Sequence, residues 1–462
     1  MSTDHSALRT KLRGEVIQRG DGNYDGARKL YNAMIDKRPA VIARPVDVAD
    51  VIECVNYARE NRLLLAIRGG GHNGPGLGSC DDGLVIDLGR MCGVRVDPEA
   101  RTAEAMGGCL LGDIDHATHA FGLATPGGIV STTGVGGLTL GGGIGHLSRK
   151  FGLSIDNLLG VDVVLADGSF VRASEDRNPD LFWAVRGGGG NFGVVTSFTF
   201  RLQPVHTVTA GPMFWSVEDA PEVMQAYEQF ITNAPEEING FFAFLNVPPV
   251  PLFPEALHAR TVCGVVWCST EGPERTQELL EPTRRWPQPL LAHVGPMPLP
   301  VLQSLFDGLL PPGLQWYWKA DFVDHLSADA IAQHVKYGSN LPSMLSTMHM
   351  YPINGAVHRV AEGDTAFSCR RTTWAEVIAG IDADPANNDR ITGWAKDYWN
   401  AVHPFSAGGA YINFMMDESA GRVEATYGVN YARLRRIKAK YDPGNLFRVN
   451  QNIAPADAAA AS

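Results

Sequence analysis

The stretch GGIVSTTGVGGLTLGGGIGH, residues 127–146, is unusually dense in glycine, and two similar stretches flank it. They are RGGGHNGPGLG at 68–78 and RGGGGNFG at 186–193, in a chain with 51 glycines among 462 residues. Glycine at this density suits backbone that bends sharply or lies against a flat, bulky ligand with no side chains in the way. We therefore expect the three stretches to form loops around a ligand site.

Two of these stretches contain the spacing GxGxxG, at 69–74 and at 188–193. A dinucleotide-binding fingerprint needs a helix that opens at the third glycine. Here the loop-like GPGLGSCDDG follows the first and the strand-like VVTSFTFRL follows the second. The pattern disfavours a Rossmann site, and the sequence contains no GxxxxGK[ST] that would indicate a P-loop.

Outward from the glycine-rich stretches, helix and strand signals are mixed up to about residue 205. VDVADVIECVNYARENR (46–62) has apolar residues at helical spacing, with Asp47 as a possible cap. NPDLFWAVRG (178–187) predicts a short helix with Asn178 as its cap. The predicted strands are LLLAIR (63–68), GLVIDL (83–88), VDVVLADGSFVRAS (161–174, a hairpin about Asp167-Gly168) and VVTSFTFRL (194–202). Residues 1–205 are therefore predicted to form an α+β domain.

Composition excludes several classes of protein. Hydrophobic residues make up 45% of the chain, enough for a large core, and the formal net charge of -11 makes nucleic acid an unexpected partner. No run of about 18 apolar residues could span a bilayer, and the N-terminal MSTDHSALRTKLRGEV lacks the apolar segment of a signal peptide. The seven cysteines show no CxxC pair and no metal-ligand spacing, which indicates reduced thiols and no metal site. We expect a cytoplasmic protein without a membrane partner.

After residue 205 the composition changes. In 206–405 the glycine-rich stretches vanish, prolines become frequent, and aromatic residues gather at Trp316, Tyr317, Trp318 and Tyr351. This range predicts a second domain with an aromatic face. Residues 406–462 form a separate terminal segment, whose last residues, 456–462, we expect to be disordered. No heptad pattern or broad apolar stripe indicates how copies would associate, so monomer and homo-oligomer both stay open.

Four longer motifs follow one another along the chain: RGGGHN (68–73), GVGGLTLGGGIGHLSRKFGLSIDNLLGVDVVLADG (134–168), NPDLFWAVRGGGGNFGVVTSF (178–198) and YDPGNLFRVNQNI (441–453). They resemble the berberine bridge enzyme-like FAD-linked oxidases of the vanillyl-alcohol oxidase superfamily, and most of all bacterial members of the nicotine oxidase and enterocin-pathway types. The resemblance implies FAD as cofactor and an FAD-binding domain of two α+β parts (PCMH type, core about 36–205), completed by the returning C-terminal segment. It also implies that 206–405 is a substrate-binding domain, an antiparallel sheet backed by helices, that covers the flavin ring.

The resemblance further implies a covalent flavin. In this family the histidine of the GGH motif, here His72, is bonded to the 8α-methyl group of the flavin. Many plant members hold a second link through the cysteine of a GxCPTVGxGG motif. This chain reads GIVSTTGVGG at 128–137, which puts Val130 at the cysteine position. We therefore predict a single link through His72 and no cysteinyl link.

Further FAD contacts are expected from the glycine-rich loops and the terminal segment. Backbone N–H groups of the glycines between 136 and 143 could cradle the pyrophosphate as an anion nest. Asp156 and Asn157 could support the ribose or could cap the next turn, and both interpretations stay open. The predicted cofactor set is Arg68, Gly69, Gly70, Gly71, His72, Asn73, Ser131, Thr132, Gly136, Gly137, Gly141, Gly142, Gly143, Asp156, Asn157, Val194, Val195, Tyr411, Asn450 and Asn452.

An oxidase also needs a group that takes a proton from the substrate. In SMLSTMHMYPINGAVHR (343–359), alternation puts His349 and Tyr351 on one face of a predicted strand. Related enzymes often carry glutamate at the His349 position; a histidine can do the same proton work, and a buried structural histidine is the alternative. Lys319 matches a lysine of bacterial members and could polarise a substrate oxygen, or could simply lie against the neighbouring tryptophans. Thr133 corresponds to the position that lines the family's oxygen pocket.

The sequence thus predicts an FAD-dependent oxidase for a CH–OH or CH–NH group of a cyclic or aromatic small molecule. Hydride would go to flavin N5 and the electrons to O₂, giving H₂O₂. The hydroxyl of Thr133 leaves open a flavin-dependent oxygenase or rearrangement enzyme of secondary-metabolite biosynthesis. A non-catalytic flavin-binding protein is a third alternative, and it would hold FAD that no substrate reduces.

Overall fold

Three β-sheets organise the chain in the computed structural model, which describes residues 5–457. Within those residues the strands are β1 (Glu15–Gln18), β2 (Val41–Arg44), β3 (Leu65–Arg68), β4 (Leu84–Asp87), β5 (Val94–Asp97), β6 (Thr102–Met106), β7 (Leu158–Val164), β8 (Phe170–Ser174), β9 (Val194–Arg201), β10 (Thr207–Ser216), β11 (Ile238–Asn246), β12 (Thr261–Ser269), β13 (Leu291–Ala292), β14 (Gly295–Pro298), β15 (Gln315–Val323), β16 (Thr347–Pro352) and β17 (Trp374–Asp382). The α-helices there are α1 (Ser6–Lys11), α2 (Tyr24–Ala27), α3 (Val48–Glu60), α4 (Leu111–His119), α5 (Val135–Gly141), α6 (Ser148–Phe151), α7 (Pro179–Val185), α8 (Ala220–Asn233), α9 (Pro273–Leu279), α10 (Leu299–Gln303), α11 (Ala328–Gly338), α12 (Ala356–Arg359), α13 (Asn388–Val402), α14 (Ala420–Tyr427) and α15 (Tyr431–Tyr441). The predicted α+β class is confirmed. None of the described helices combines the length and the apolar character that crossing a bilayer requires.

The first two sheets come from the glycine-rich part of the chain. One has the order β1-β2-β4-β3, with β2 and β3 parallel to β4, and the other is antiparallel with the order β5-β6-β9-β7-β8. The helix predicted over 46–62 forms as α3, and the carboxylate of Asp47 accepts a hydrogen bond from the N–H of Asp50 at 3.1 Å, as an N-cap does. The hairpin predicted about Asp167-Gly168 joins β7 to β8. The local patterns therefore predicted these elements correctly.

One predicted detail, the cap of α7, is wrong. The helix begins at Pro179 as expected, but the side chain of Asn178 makes no capping hydrogen bond. Asn178 instead adopts a left-handed backbone conformation (φ 48°), and its side-chain amide donates to the carbonyl of Arg172 at 2.7 Å. The residue therefore closes the turn that follows β8, because asparagine tolerates positive φ better than most residues.

The third sheet is antiparallel, and all its strands lie within the range 206–405 that was predicted as the substrate domain. Its order is β13-β10-β12-β11-β16-β17-β15, with β14 paired to β10. Apolar side chains of one face, including those of Met348 and Met350, pack in a common core with residues of α8, α11 and α13. Residues on the opposite face of the sheet, among them Tyr351 and Val377, pack in a second core with residues of the glycine-rich region and of the C-terminal segment. The large sheet thus lies between its own helices and the glycine-rich loops.

A buried lysine fastens the C-terminal segment to the third glycine-rich stretch. Lys438 is inaccessible to solvent and donates to the carboxylate of Asp442 (2.7 Å) and to the carbonyls of Asn191 (2.6 Å) and Phe447 (3.0 Å). Burial lowers the pKa of this ammonium, and the neighbouring Asp442 carboxylate opposes that shift. The motif at 441–453 therefore holds the loop at 186–193 in place.

The predicted disordered tail falls only in part within the described residues. The N–H of Ala456 donates to the carbonyl of Arg435 at 3.0 Å, so the first residue of that range is held by the helix α15. Residues 458–462 lie outside the described residues.

A buried ion pair joins the segment before β17 to the turn after α6. The guanidinium of Arg370 contacts both carboxylate oxygens of Asp156, at 2.8 and 2.7 Å, and Arg370 also donates to Thr365 at 2.7 Å. Asp156 additionally accepts from the N–H of Leu153 at 2.8 Å. Both carboxylate oxygens of Asp156 are thus hydrogen-bonded inside the protein.

We expect Arg370→Met to lower the free energy of unfolding by about 3–5 kcal/mol, because it leaves the Asp156 carboxylate buried without its partner. Urea titration followed by fluorescence measures the change. Arg275→Met is the matched control, since Arg275 pairs with Glu278 at the exposed surface and its loss should cost less than about 1 kcal/mol. Equal losses for the two variants would contradict this account of the pair.

Candidate active site

A cavity of about 350 Å³ lies between the glycine-rich loops, the large sheet and the C-terminal segment. All three glycine-rich stretches contribute to its wall, and so do β15, β16 and β17. Among the described residues that line it, Arg68 is the one with a charged side chain, and its guanidinium is paired with Asp87 at 2.9 Å. The cavity is therefore mainly apolar and offers no unpaired charge.

Two glycine-rich loops touch backbone to backbone beside this cavity. A Cβ added to Gly70 would lie far inside van der Waals contact with the backbone nitrogen of Gly134, and a Cβ on Gly134 would meet the nitrogen of Gly70 in the same way. Only glycine fits at either position. The contact brings the loop that carries His72 next to the loop 131–133.

His72 is held on two sides in the wall of the cavity. Its Nε2 lies 3.0 Å from Oγ1 of Thr132, and its ring stacks on Tyr31 with centroids 3.8 Å apart and planes 19° from parallel. Burial lowers the pKa of His72 to about 4. The imidazole is therefore neutral at pH 7, with one ring nitrogen bearing a lone pair.

His349 and Tyr351 face the same cavity from β16. Nδ1 of His349 lies 2.7 Å from Oη of Tyr351, and the ring of Phe241 packs 5.0 Å from the first and 5.1 Å from the second. Burial lowers the pKa of His349 to about 4 and raises the pKa of Tyr351 well above its ordinary value. At pH 7 the pair is uncharged, and its histidine can accept a proton.

Small residues form a trough in the sheet between this pair and two tryptophans. On β17, Val377 stands opposite His349, and Ala379 stands between Thr347 on β16 and Trp318 on β15. Adjacent strands lie about 4.8 Å apart, so the trough is roughly 10 Å wide. The indole N–H groups of Trp316 and Trp318 have no hydrogen-bond partner within residues 5–457. A planar molecule can lie in this trough with the proton acceptor His349 on one side and the tryptophan rings on the other.

Most of the residues predicted for the site lie at the cavity. Those in its wall are Arg68, Gly69, Gly70, Gly71, His72, Asn73, Thr133, Gly136, Gly137, Val195, His349, Tyr351, Tyr411 and Asn450. Thr132 contacts His72 from behind the wall. Ser131 lies outside the lining, because its N–H (3.1 Å) and its hydroxyl both donate to the carboxylate of Asp307. Val194 and Asn452 also lie outside the lining.

The structure does not support an anion nest over residues 141–143. The N–H of Gly142 donates to the carbonyl of Thr139 and that of Gly143 to Oη of Tyr411, each at 2.9 Å, so both donors are used within the protein. Gly141 lies in α5 against the side chain of Asn413. Glycine density alone did not reveal which amides were already paired. Gly136 and Gly137 are the members of that set that reach the cavity.

Asp156 and Asn157 are structural residues away from the cavity, which decides between the two interpretations left open above. Asp156 is bound by Arg370 and caps the turn at Leu153, as described. The side-chain amide of the buried Asn157 donates to the carbonyls of Phe151 (2.8 Å) and Leu153 (3.1 Å).

Lys319 also points away from the cavity. Its ammonium pairs with Glu418 at 2.7 Å and lies 4.6 Å from the centre of the Trp399 ring. The reason is the alternation along β15, which turns Trp316 and Trp318 toward the cavity and Lys319 toward the opposite face. The polarising role predicted for Lys319 is therefore not available in this arrangement.

Sequence reasoning missed Tyr31, which belongs to the site. Its N–H donates to the carbonyl of Gly71 at 3.2 Å, and its hydroxyl donates to the carbonyl of Leu310 at 2.5 Å. Tyr31 thus joins the His72 loop to the segment before β15. No local pattern marked it, because both contacts are distant in sequence. Val377, Ala379 and Phe414 were missed for the same reason, although the alternation along β17 could have indicated the first two.

Comparisons with known proteins agree with this geometry. The FAD binding domain family matches residues 39–174, and the family described as berberine and berberine like matches residues 410–454. An FAD-linked oxidoreductase of Dictyostelium discoideum is 31% identical over 96% of this chain and 95% of its own length. A xylooligosaccharide oxidase of Thermothelomyces thermophilus is 31% identical over 92% of this chain and 89% of its own. The solved structure of 6-hydroxy-D-nicotine oxidase from Arthrobacter nicotinovorans superposes with a TM-score of 0.87 at 26% identity, covering 98% of this chain and 100% of that one.

The matched segments are those that form the cavity, since 39–174 holds His72 and the loop 131–133 and 410–454 holds Tyr411 and Asn450. The chain is an oxidoreductase and belongs to the berberine bridge enzyme-like family of FAD-linked oxidoreductases, within the vanillyl-alcohol oxidase superfamily.

Proposed function

We propose that the protein is an FAD-dependent oxidase whose flavin is bonded to His72 alone. It oxidises a CH–OH or CH–NH group of an uncharged cyclic or aromatic small molecule, with O₂ as acceptor. The observation that carries the proposal is that the neutral His72 and the neutral His349–Tyr351 pair line one cavity. A covalent anchor and a proton acceptor thus face the same bound ring.

The residues of the cavity fit FAD. The amides of Gly136 and Gly137 lie in the first turn of α5, where N–H groups have no partner inside the helix, and can donate to the pyrophosphate. Oδ1 of Asn450 is buried without a partner and can accept from the cofactor. FAD supplies hydride acceptance at N5 and transfer of the electrons to O₂ as H₂O₂.

The residues around His72 support the proposal of a single covalent link. Val130 lines the cavity at the position where plant members have cysteine, and no described residue of the lining is a cysteine. Cys109 is fully buried outside the lining, and burial raises the pKa of its thiol to about 12, so it stays protonated and unreactive.

His72→Ala should abolish the covalent link. After acid precipitation we expect flavin absorbance in the wild-type pellet and in the supernatant of the variant, because no described residue of the lining is a cysteine and His349, the other histidine there, serves as the proton acceptor in this proposal. Cys109→Ser is the control and should keep flavin in the pellet. Flavin that stays with the precipitated His72→Ala protein would mean that another residue is bonded.

His349 is the proton acceptor in this proposal. We assign it the Nδ1–H tautomer, which donates to Oη of Tyr351 at 2.7 Å and leaves the lone pair of Nε2 to take the proton from the substrate heteroatom. Tyr351 orients the ring. Because the pKa of His349 is about 4, the acceptor is neutral at physiological pH and becomes protonated only as the pH falls through that value.

His349→Gln should lower the rate of flavin reduction by roughly 10²- to 10⁴-fold, since glutamine cannot take the proton. Tyr351→Phe should lower it by about 10-fold or less, because only the orienting hydrogen bond is lost. Stopped-flow measurement should also show the wild-type rate constant above about pH 5 and falling below it. A wild-type rate that keeps rising up to pH 9, or an unaffected His349→Gln variant, would exclude His349 as the acceptor.

The trough supports a flat, uncharged substrate. Its walls are aromatic, its floor is Val377 and Ala379, and the histidine–tyrosine pair is its polar group. Two of the relatives are named for a sugar and for a cyclic amine. A sugar would need several hydrogen-bonding partners for its hydroxyls, whereas an aromatic or cyclic amine substrate needs few. The lining favours the second class.

Ala379→Leu should fill the trough and raise the KM of a bicyclic substrate found in a peroxide-release screen by at least about 10-fold, while flavin content stays unchanged. Ala379→Ser, which adds one atom, is the control and should change KM by less than about 3-fold. If both variants kept the wild-type KM, the trough would not be the substrate site.

A second candidate function is a flavin-dependent oxygenase or rearrangement enzyme of secondary metabolism. The observation in its favour is that Thr133, with its hydroxyl, lines the cavity. One H₂O₂ released per substrate oxidised excludes it, whereas oxygen retained in the product excludes the simple oxidase.

A further inference from the structure

We propose that Thr132 is a positioning residue for the attachment of the flavin to His72, which it achieves by binding Nε2 and leaving Nδ1 free to form the bond. This inference rests on the covalent link proposed above. It adds a residue that lies outside the cavity wall and acts only through the histidine.

The geometry at His72 distinguishes the two ring nitrogens. Nε2 lies 3.0 Å from Thr132 Oγ1, whereas Nδ1 has no hydrogen-bond partner within residues 5–457. Tyr31 covers one face of the ring by stacking at 3.8 Å. When one nitrogen of a neutral imidazole carries the hydrogen as a donor, the other carries the lone pair. In the tautomer that this inference assigns, Nε2–H donates to Oγ1 of Thr132, which leaves the nucleophilic lone pair on Nδ1.

Thr132 is itself held firmly enough to orient a ring. The carbonyls on either side of it, those of Ser131 and Thr133, each accept a hydrogen bond at 2.9 Å, from Gly112 and Leu111 respectively. The side chain of Ser131 is fixed by Asp307. The peptide 131–133 is thus fixed from two directions, and Thr132 presents its hydroxyl from a rigid backbone.

The attachment reaction explains why a partner at Nε2 matters. The new N–C bond replaces one C–H bond of the 8α-methyl group and the N–H of the imidazole, and the two hydrogens leave with O₂ as H₂O₂. Atoms and electrons balance with O₂ as the oxidant, the same one that the oxidase uses. While the bond forms, His72 gains positive charge in a buried site, and Nε2–H becomes a stronger donor. A hydroxyl acceptor at 3.0 Å stabilises that charge until the proton leaves.

The test compares Thr132→Val with Thr132→Ser. Valine keeps the shape and removes the oxygen, and serine keeps the oxygen. Each full-length protein is prepared from riboflavin-limited cells, FAD is added, and the flavin that stays with acid-denatured protein is followed with time. We expect attachment to be about 10- to 100-fold slower in Thr132→Val and within about 3-fold of wild type in Thr132→Ser. The amount of FAD bound before denaturation should be the same in the wild type and in both variants.

The outcomes separate this inference from the proposal that it rests on. Wild-type protein that releases all its flavin on denaturation would overturn the covalent link and the role of Thr132 together. Covalent wild type with an equally fast Thr132→Val variant would overturn the role of Thr132 alone, and so would a Thr132→Ser variant as slow as the valine variant. If the valine variant does not fold, the test is to identify which nitrogen of His72 is bonded to the flavin in a peptide from the wild-type protein. A bond to Nε2 would contradict the geometry, and a bond to Nδ1 supports it.

Discussion

The contact between the backbones of Gly70 and Gly134 is the constraint on which the active site depends. Because neither residue has a Cβ, the loop that carries His72 can touch the loop that carries Thr132. The hydrogen bond from the N–H of Val135 to the carbonyl of Cys109 (2.9 Å) fixes the second loop beyond the contact. Any side chain at the contact would move His72 from its partner and open the wall of the cavity.

Burial gives the cavity a consistent electrostatic character. The pKa of each histidine in the wall, His72 and His349, is lowered to about 4, and the guanidinium of Arg68 is neutralised by Asp87. An apolar wall penalises unpaired charge, so both histidines stay neutral and reactive through their lone pairs. In the function proposed above, the same environment suits His72 to act as a nucleophile and His349 to act as a base. The selectivity that we propose, for uncharged molecules, has the same physical cause.

The fold and a large part of the site could be predicted from the sequence because their signals are local. Glycine density indicated the loops, and period-two alternation indicated that His349 and Tyr351 share a face. Alternation along β15 could also have excluded Lys319, had the tryptophans been chosen as the cavity residues. The amides of Gly142 and Gly143 were assigned wrongly because their acceptors are set by the three-dimensional structure. Tyr31 could not be found because it reaches the site only through contacts with residues far along the chain.

Three consecutive residues of the loop 131–133 have three different partners. Ser131 binds Asp307 in the segment between α10 and β15, Thr132 binds His72, and Thr133 lines the cavity. The N–H of Thr133 donates to the carbonyl of Val130 at 3.1 Å and closes a turn over 130–133. Successive side chains of this turn point in different directions, so their order along the chain decides which partner each one meets. Inserting or deleting one residue here would put every side chain in its neighbour's place. Variation within the family should therefore change the identity of these residues far more readily than the length of the loop.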